Sequence, residues 1–243
     1  MTNRAIVLMY HNVGDPPKGT NSLGLYVSEG MFRFQMWYLK TAGFNVVPLS
    51  TVSDLIHGGC TGRKAVAITF DDGYQDFYDI AYPVLRAYNF PSTVFIITDL
   101  VGKENSWDIL DIGRRKKLMD WETIRLLKDD GVTFGSHTKT HPFLSRLSQR
   151  DLKAELAGSK DDLEAHLQAP ADFFCYPYGD YDSRTVEAVK EAGYNLAVTT
   201  KRGLVRKGSD PFQVRRSFIR TKTNPFLFFL RMHTEYEDWK RSD

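Results

Sequence analysis

The chain has 243 residues, enough for one α/β barrel domain, which typically needs roughly 250. Apolar residues make up 42% and charged residues 26%, which allows an ordinary buried core and excludes a disordered chain. With 32 Lys and Arg against 30 Asp and Glu, interleaved along the sequence, the +2 formal charge gives no sign of a nucleic-acid partner, and the one dense basic run, Arg114-Arg115-Lys116-Lys117, reads as solvated loop surface.

At the start, Met1 to Arg4 lead into a short apolar stretch ending at His11, too short and wrongly flanked for a secretory leader. No segment reaches the ~18 apolar residues of a membrane span. The expectation is a cytoplasmic protein, or one of the cell envelope whose leader has been removed. Residues 5–10 are predicted as the first strand, followed by an amphipathic helix over 31–41 with Ser28 as N-cap and Gly43 beyond its end. Residues 65–70 form a continuous apolar run expected as a buried strand, then come a helix over 76–88 and a strand over 92–97. The polar stretch 99–120 is read as a long loop.

A helix over 121–128 capped by Asp120 precedes a strand over 132–136. Ser148 and Asp151 make a capping pattern in front of a long helix over 149–168. A strand at 173–175, a helix over 183–192 closed by Gly193, and strands near 195–199 and 213–218 follow. The apolar run 225–230 is expected as a helix closing the fold, with a membrane or partner contact as the rival reading. Strand and helix alternate about seven times, which implies a parallel sheet, closed as a barrel or left open and doubly wound. No linker or repeat divides the chain, so one domain over 1–243 is expected.

Polar motifs follow three of the predicted strands: Asp71 and Asp72, His137, and Pro177-Tyr178-Gly179. Both sheet arrangements assemble their sites at those C-terminal strand ends. His137 and His141, four apart, suit a single cation, and Asp72 with Asp71 gives one carboxylate more than an Asp-His-His metal site requires. The spare Asp71 is free to take a proton from a water acidified by the metal, which is the chemistry of a hydrolase. Cys60 and Cys175 are too few and too far apart for a metal motif or a disulfide framework, and are expected as reduced thiols. Trp107, Trp121 and Tyr181 are open to two readings, sugar stacking or core packing.

The segments Thr69-Phe70-Asp71-Asp72-Gly73, Ser136-His137 to His141-Pro142 and Tyr176-Pro177-Tyr178-Gly179 resemble those of the polysaccharide deacetylases, the NodB-type domain of carbohydrate esterase family four. Weaker similarity at Met9-Tyr10-His11 and Glu191-Ala192-Gly193-Tyr194 extends it over most of the chain. The resemblance implies a distorted (β/α) barrel, with Asp71 as catalytic base and Asp72, His137 and His141 as ligands of Zn²⁺ or another divalent metal such as Co²⁺, Ni²⁺ or Mn²⁺. It also implies the backbone N–H of Tyr178 as an oxyanion donor. Many members carry an Arg in the third motif where this chain has Cys175; Arg216, or Arg215, is the candidate to supply that charge. The late His that often serves as general acid has no secure counterpart, and His233, His11 or Asp71 itself are the candidates.

The expected function is removal of N-acetyl groups from an amino-sugar glycan or glycan precursor. The rival readings are an O-acetyl esterase or non-sugar amide hydrolase with the same metal site, and a non-catalytic glycan-binding subunit.

Overall fold

The computed structural model describes residues 4–16, 24–60, 64–107 and 115–240, so Arg114 of the basic run lies outside the described residues. The strands in chain order are β1 (Arg4–Tyr10), β2 (Asn12–Val13), β3 (Tyr26–Val27), β4 (Asn45–Val46), β5 (Ala65–Phe70), β6 (Thr93–Ile96), β7 (Thr133–Ser136), β8 (Phe173–Cys175), β9 (Leu196–Arg202), β10 (Val205–Arg206) and β11 (Val214–Phe218). Within them, β1, β5, β6, β7, β8, β9 and β11 pair in parallel in that order, and β11 pairs back to β1. The result is a closed seven-stranded parallel barrel flanked by helices.

The ring is uneven along its axis. Thr69 and Phe70 of β5 pair with Thr93 and Val94 of β6, whereas Ala65 and Val66, at the other end of β5, pair with Asn45 and Val46 of β4. β1 behaves the same way: Leu8 and Met9 pair with β11, but Arg4 and Ala5 pair with the antiparallel β10. The barrel is thus splayed at the N-terminal ends of its strands and closed at the C-terminal ends. This is the physical content of the distortion that the family resemblance implied.

Period-2 alternation separates two cores. Ala5, Val7, Ala65, Ala67, Phe95, Phe173, Cys175, Leu196, Val198 and Val214 belong to one buried cluster inside the barrel. The alternate residues Ile6, Leu8, Tyr10, Val66, Ile68 and Phe70 pack against the surrounding helices. Small alanines on β1 and β5 leave room for Phe95 and Phe173. Gly135 of β7 serves the same end, because a Cβ there would lie 2.7 Å from both the Phe173 carbonyl oxygen and the Phe95 ring.

Helix starts follow their caps. Ser28 accepts from the Met31 amide, Asp120 from Thr123 and Ser148 from Asp151. The structure departs from expectation over 76–88, where a π turn at Phe77–Ala81 precedes an α-helix at Tyr82–Ala87. Pro83 has no N–H to give to the preceding turn, and the widened turn accommodates the missing bond. The 99–120 stretch is more than a loop: it bridges Glu104 to Lys117 and Tyr74 to Leu118. Lys116 Nζ donates to Asn12 Oδ1 at 2.7 Å and also to Asp76 Oδ2, which ties the segment to the barrel.

The helix Pro225–His233 buries Phe228 and Met232 and leaves Phe226 and Phe229 exposed. Among the described residues no helix is long and apolar enough to cross a membrane. Cys60 and Cys175 are both free thiols.

Candidate active site

The interior phase of the strands, carried one step past their ends, delivers polar side chains to the barrel mouth. His11 continues Ala5, Val7 and Met9; Asp71 continues Ala65, Ala67 and Thr69; His137 follows Gly135; Arg216 follows Val214. All four meet at the closed end. A cleft of about 180 Å³ there is lined by His11, Asp71, Asp72, His137, His141, Trp107, Tyr178 and Thr200, among others.

Asp71 and Arg216 form a buried, two-pronged pair. Arg216 Nη1 donates to Asp71 Oδ1 and Nη2 to Oδ2, both at 2.7 Å. The other guanidinium hydrogens go to Thr199 O (2.8 Å), Thr69 Oγ1 (3.1 Å) and Cys175 Sγ (3.3 Å), so its five N–H groups all have acceptors. Burial opposes the charge on Asp71, but the charge and hydrogen bonds of Arg216 outweigh it and hold the carboxyl well below the usual carboxylate range. Arg215 points elsewhere and donates to Arg202 O at 3.0 Å.

Asp72, His137 and His141 converge, with one ligand atom from each lying within 4.8 Å of the others. His137 Nε2 is 3.3 Å and His141 Nε2 3.6 Å from Asp72 Oδ1. Two ligands bound tetrahedrally to zinc at ~2.0–2.1 Å stand about 3.3 Å apart, so these separations fit one ion. Tautomer chemistry points the same way. His137 Nδ1 is 2.7 Å from the Cys175 carbonyl, which only accepts, so Nδ1 carries a hydrogen and Nε2 is the nitrogen left to face Asp72; against the effect of burial, Cys175 and Asp72 raise the ring's pKa well above that of a free imidazole, so Nε2 holds a proton until a cation takes its place. A proton shared between His137 and Asp72 satisfies that pair, whereas a divalent cation satisfies all three groups. Burial, then repulsion from His137, push His141 down to about 3, which keeps it a neutral donor.

A second grouping, Asp71, His137 and Cys175, is equally close. It is a poorer cation site, because the Asp71 oxygens and the Cys175 sulfur already accept from Arg216, and burial pushes the Cys175 thiol up, away from thiolate.

Backbone strain collects at the same place. Asp72, Thr138, His141 and Tyr178 have φ of 74°, 69°, 63° and 58°, in the left-handed region that side chains rarely occupy. Tyr178 lies in a short 3₁₀ segment, Pro177–Gly179, and its ring packs edge-on to His141 and face-to-face with Phe143 at 4.1 Å. Next to it, a Cβ on Gly179 would overlap Thr200 Oγ1 at 1.9 Å.

Of the three candidate acids, only His11 and Asp71 are at the cleft. His11 Nε2 is 3.8 Å from Asp71 Oδ2 and its ring is largely buried. His233 lies on the outer helix, its Nε2 2.6 Å from the Tyr38 hydroxyl and its ring against Phe229 and Phe44. The parity of β1 would have singled out His11 in the sequence. Trp107 stands 4.8 Å from the His141 ring, while Trp121 stacks on His166 and Tyr181 packs on Tyr176, so of the three aromatics only Trp107 lines the cleft.

The family profile described as "Polysaccharide deacetylase" matches residues 58–197, more than half of the chain. The poly-β-1,6-N-acetyl-D-glucosamine N-deacetylase of Staphylococcus aureus (strain MRSA252) is 26% identical over 230 residues, 89% of this chain and 79% of that protein. Among solved structures, the Streptococcus pyogenes deacetylase PplD in complex with acetate superimposes with a TM-score of 0.82 at 27% identity, covering 96% of this chain and 100% of that one. IcaB from Ammonifex degensii gives 0.81 at 25% identity, covering 95% and 97%. The chain therefore belongs to the polysaccharide deacetylase family.

Proposed function

We propose that this protein is a metal-dependent N-deacetylase acting on a β-linked N-acetylglucosamine polymer and releasing acetate. The observation that carries the reading is the meeting of two unlike carboxylates. Asp72 shares a cation-sized space with His137 and His141, while its neighbour Asp71 is locked by Arg216 in the ionised state. Held by Asp72, His137 and His141, a divalent cation, zinc first among the candidates, would supply Lewis acidity, lowering the pKa of a water and polarising the acetyl carbonyl.

The remaining work falls to the chain. Asp71 takes the proton of the attacking water, and Arg216 keeps it charged and correctly turned throughout the working pH range. His11, beside Asp71, is placed to pass a proton to the departing amine; burial holds its pKa down, so the proton it passes is the one Asp71 has taken from the water. The left-handed turn at Tyr178 lines the cleft, and its backbone N–H is the proposed donor to the oxyanion. The cleft, about 180 Å³ and open to solvent, has room for the N-acetyl group of a glycan lying across its mouth. The relatives' stated substrate supports the choice of polymer.

The test is acetate release from β-1,6- and β-1,4-linked N-acetylglucosamine oligomers by zinc-loaded protein, with chelator and zinc re-addition as controls. Release that follows the metal supports the reading. Absence of release from every N-acetylated glycan, with release from O-acetylated ones, replaces it by an esterase.

A further inference from the structure

The His137–His141 turn carries two of the three proposed metal ligands, yet Thr138 and His141 both sit at positive φ. Something outside the turn must hold it. Its amides are all engaged. Thr138 N donates to Ser136 Oγ at 3.1 Å and His141 N to Thr138 Oγ1 at 3.0 Å. The two between them, Lys139 N and Thr140 N, converge on a single oxygen, Oε2 of Glu155, at 2.8 and 3.0 Å, while Thr140 Oγ1 donates to Oε1 at 2.6 Å.

Two consecutive amides aimed at one anion form a backbone nest. Here the anion is built in, supplied by the helix Gln149–Leu167. That helix is fastened to the strand carrying the turn: Ser159 Oγ lies 2.7 Å from Ser136 Oγ, and Asp162 accepts from Lys139 Nζ at 2.6 Å. The Glu155 carboxylate is thus held from behind and grips the turn from outside the cleft.

We propose that Glu155 is a positioning residue for metal binding: seated in this nest, it fixes the strained turn so that His137 and His141 converge on Asp72. The inference rests on the metal-centre reading above. It is tested by zinc affinity, measured on the full chain by competition with a chromophoric chelator, with far-UV circular dichroism as the check on folding. Glu155→Ala is expected to weaken zinc binding about 10–100-fold, the usual effect of removing a group that orients a ligand. Glu155→Gln can still accept both amides through its carbonyl oxygen and can donate to Thr140 Oγ1, so its loss should be several-fold at most.

Folded Glu155→Ala with zinc affinity within twofold of wild type, or no weaker than Glu155→Gln, overturns the proposal. Should Glu155→Ala not fold, Thr140→Ala, which removes one of the three hydrogen bonds, is expected to weaken zinc several-fold, and wild-type affinity there overturns it equally. Wild-type protein that binds no zinc would instead remove the metal centre itself, a different failure from that of Glu155.

Discussion

Replacing Arg216 by Met probes the centre of the site through stability as well as through turnover. Asp71 is 3% exposed and Arg216 fully buried, so the substitution leaves a carboxylate in the barrel mouth without its two 2.7 Å charge-assisted bonds. Removing one partner of a buried ion pair costs about 3–5 kcal/mol. For a chain of this size each kcal/mol moves Tm by about 2–4 °C, so a fall of roughly 6–20 °C is expected at neutral pH.

The pH dependence separates this cause from a simple packing defect. In the wild type the folded Asp71 pKa is depressed, so its stabilising contribution is present above the unfolded value near ~3.9 and is lost only as pH falls through the lower folded value. Without Arg216, burial, already the largest single influence on Asp71, is opposed only by His11 and His137 and raises the folded pKa above the unfolded one. The variant's Asp71 then destabilises progressively as pH rises past ~4. The Tm deficit should therefore be large at about pH 7.5 and shrink toward about pH 4.5, measured by calorimetry with chelator present in both samples. An equal deficit at the two pH values would refute the assignment of Arg216 as the group that keeps Asp71 charged.

Three further substitutions test separate parts of the site and scaffold. Asp71→Asn should cut acetate release by about 10²–10⁴-fold while zinc affinity stays near wild type, and a parallel loss of zinc would show that Asp71 belongs to the metal centre instead. His11→Gln should lower kcat by about 10²-fold or more with KM little changed; wild-type turnover would return the general-acid role to Asp71. Gly135→Ala places a methyl group 2.7 Å from Phe173 O and the Phe95 ring and should cost about 1–3 kcal/mol in calorimetric stability, so an unchanged Tm would contradict the packing account of the barrel interior.

The sequence was most legible where a periodic run met a side-chain cap. The strand at 65–70 has the expected bounds, and Ser28, Asp120 and Ser148 cap the helices they were expected to cap. Legibility failed where elements are too short to show a period. β2, β3, β4 and β10 are two residues each, and the helix Leu49–Ile56 begins behind Pro48 with no side-chain cap. β4 and β10 are the strands that fill the splayed end, so pattern alone could suggest a barrel but not the form of its distortion. At the site, the motifs brought Asp71, Asp72, His137 and His141 to notice because metal ligands demand particular residue types. Choosing between Arg215 and Arg216 required knowing which phase of β11 faces inward, and its register against β9 shifts between Val214 and Arg216.

That register also explains how a thiol can stand at the position where the family resemblance leads one to expect a guanidinium. What the chemistry requires is a planar cation against both oxygens of Asp71, and the side chain of arginine is long enough to reach that place from more than one strand. Here it comes from β11, and its Nη2 ends 3.3 Å from the sulfur of Cys175 on β8. Burial raises the thiol pKa, so Cys175 fills the space and accepts a hydrogen bond without adding a charge that would compete with Asp71. The departure at Cys175 therefore leaves Asp71 with its partner: the cation is present, paired and buried, and it comes from β11.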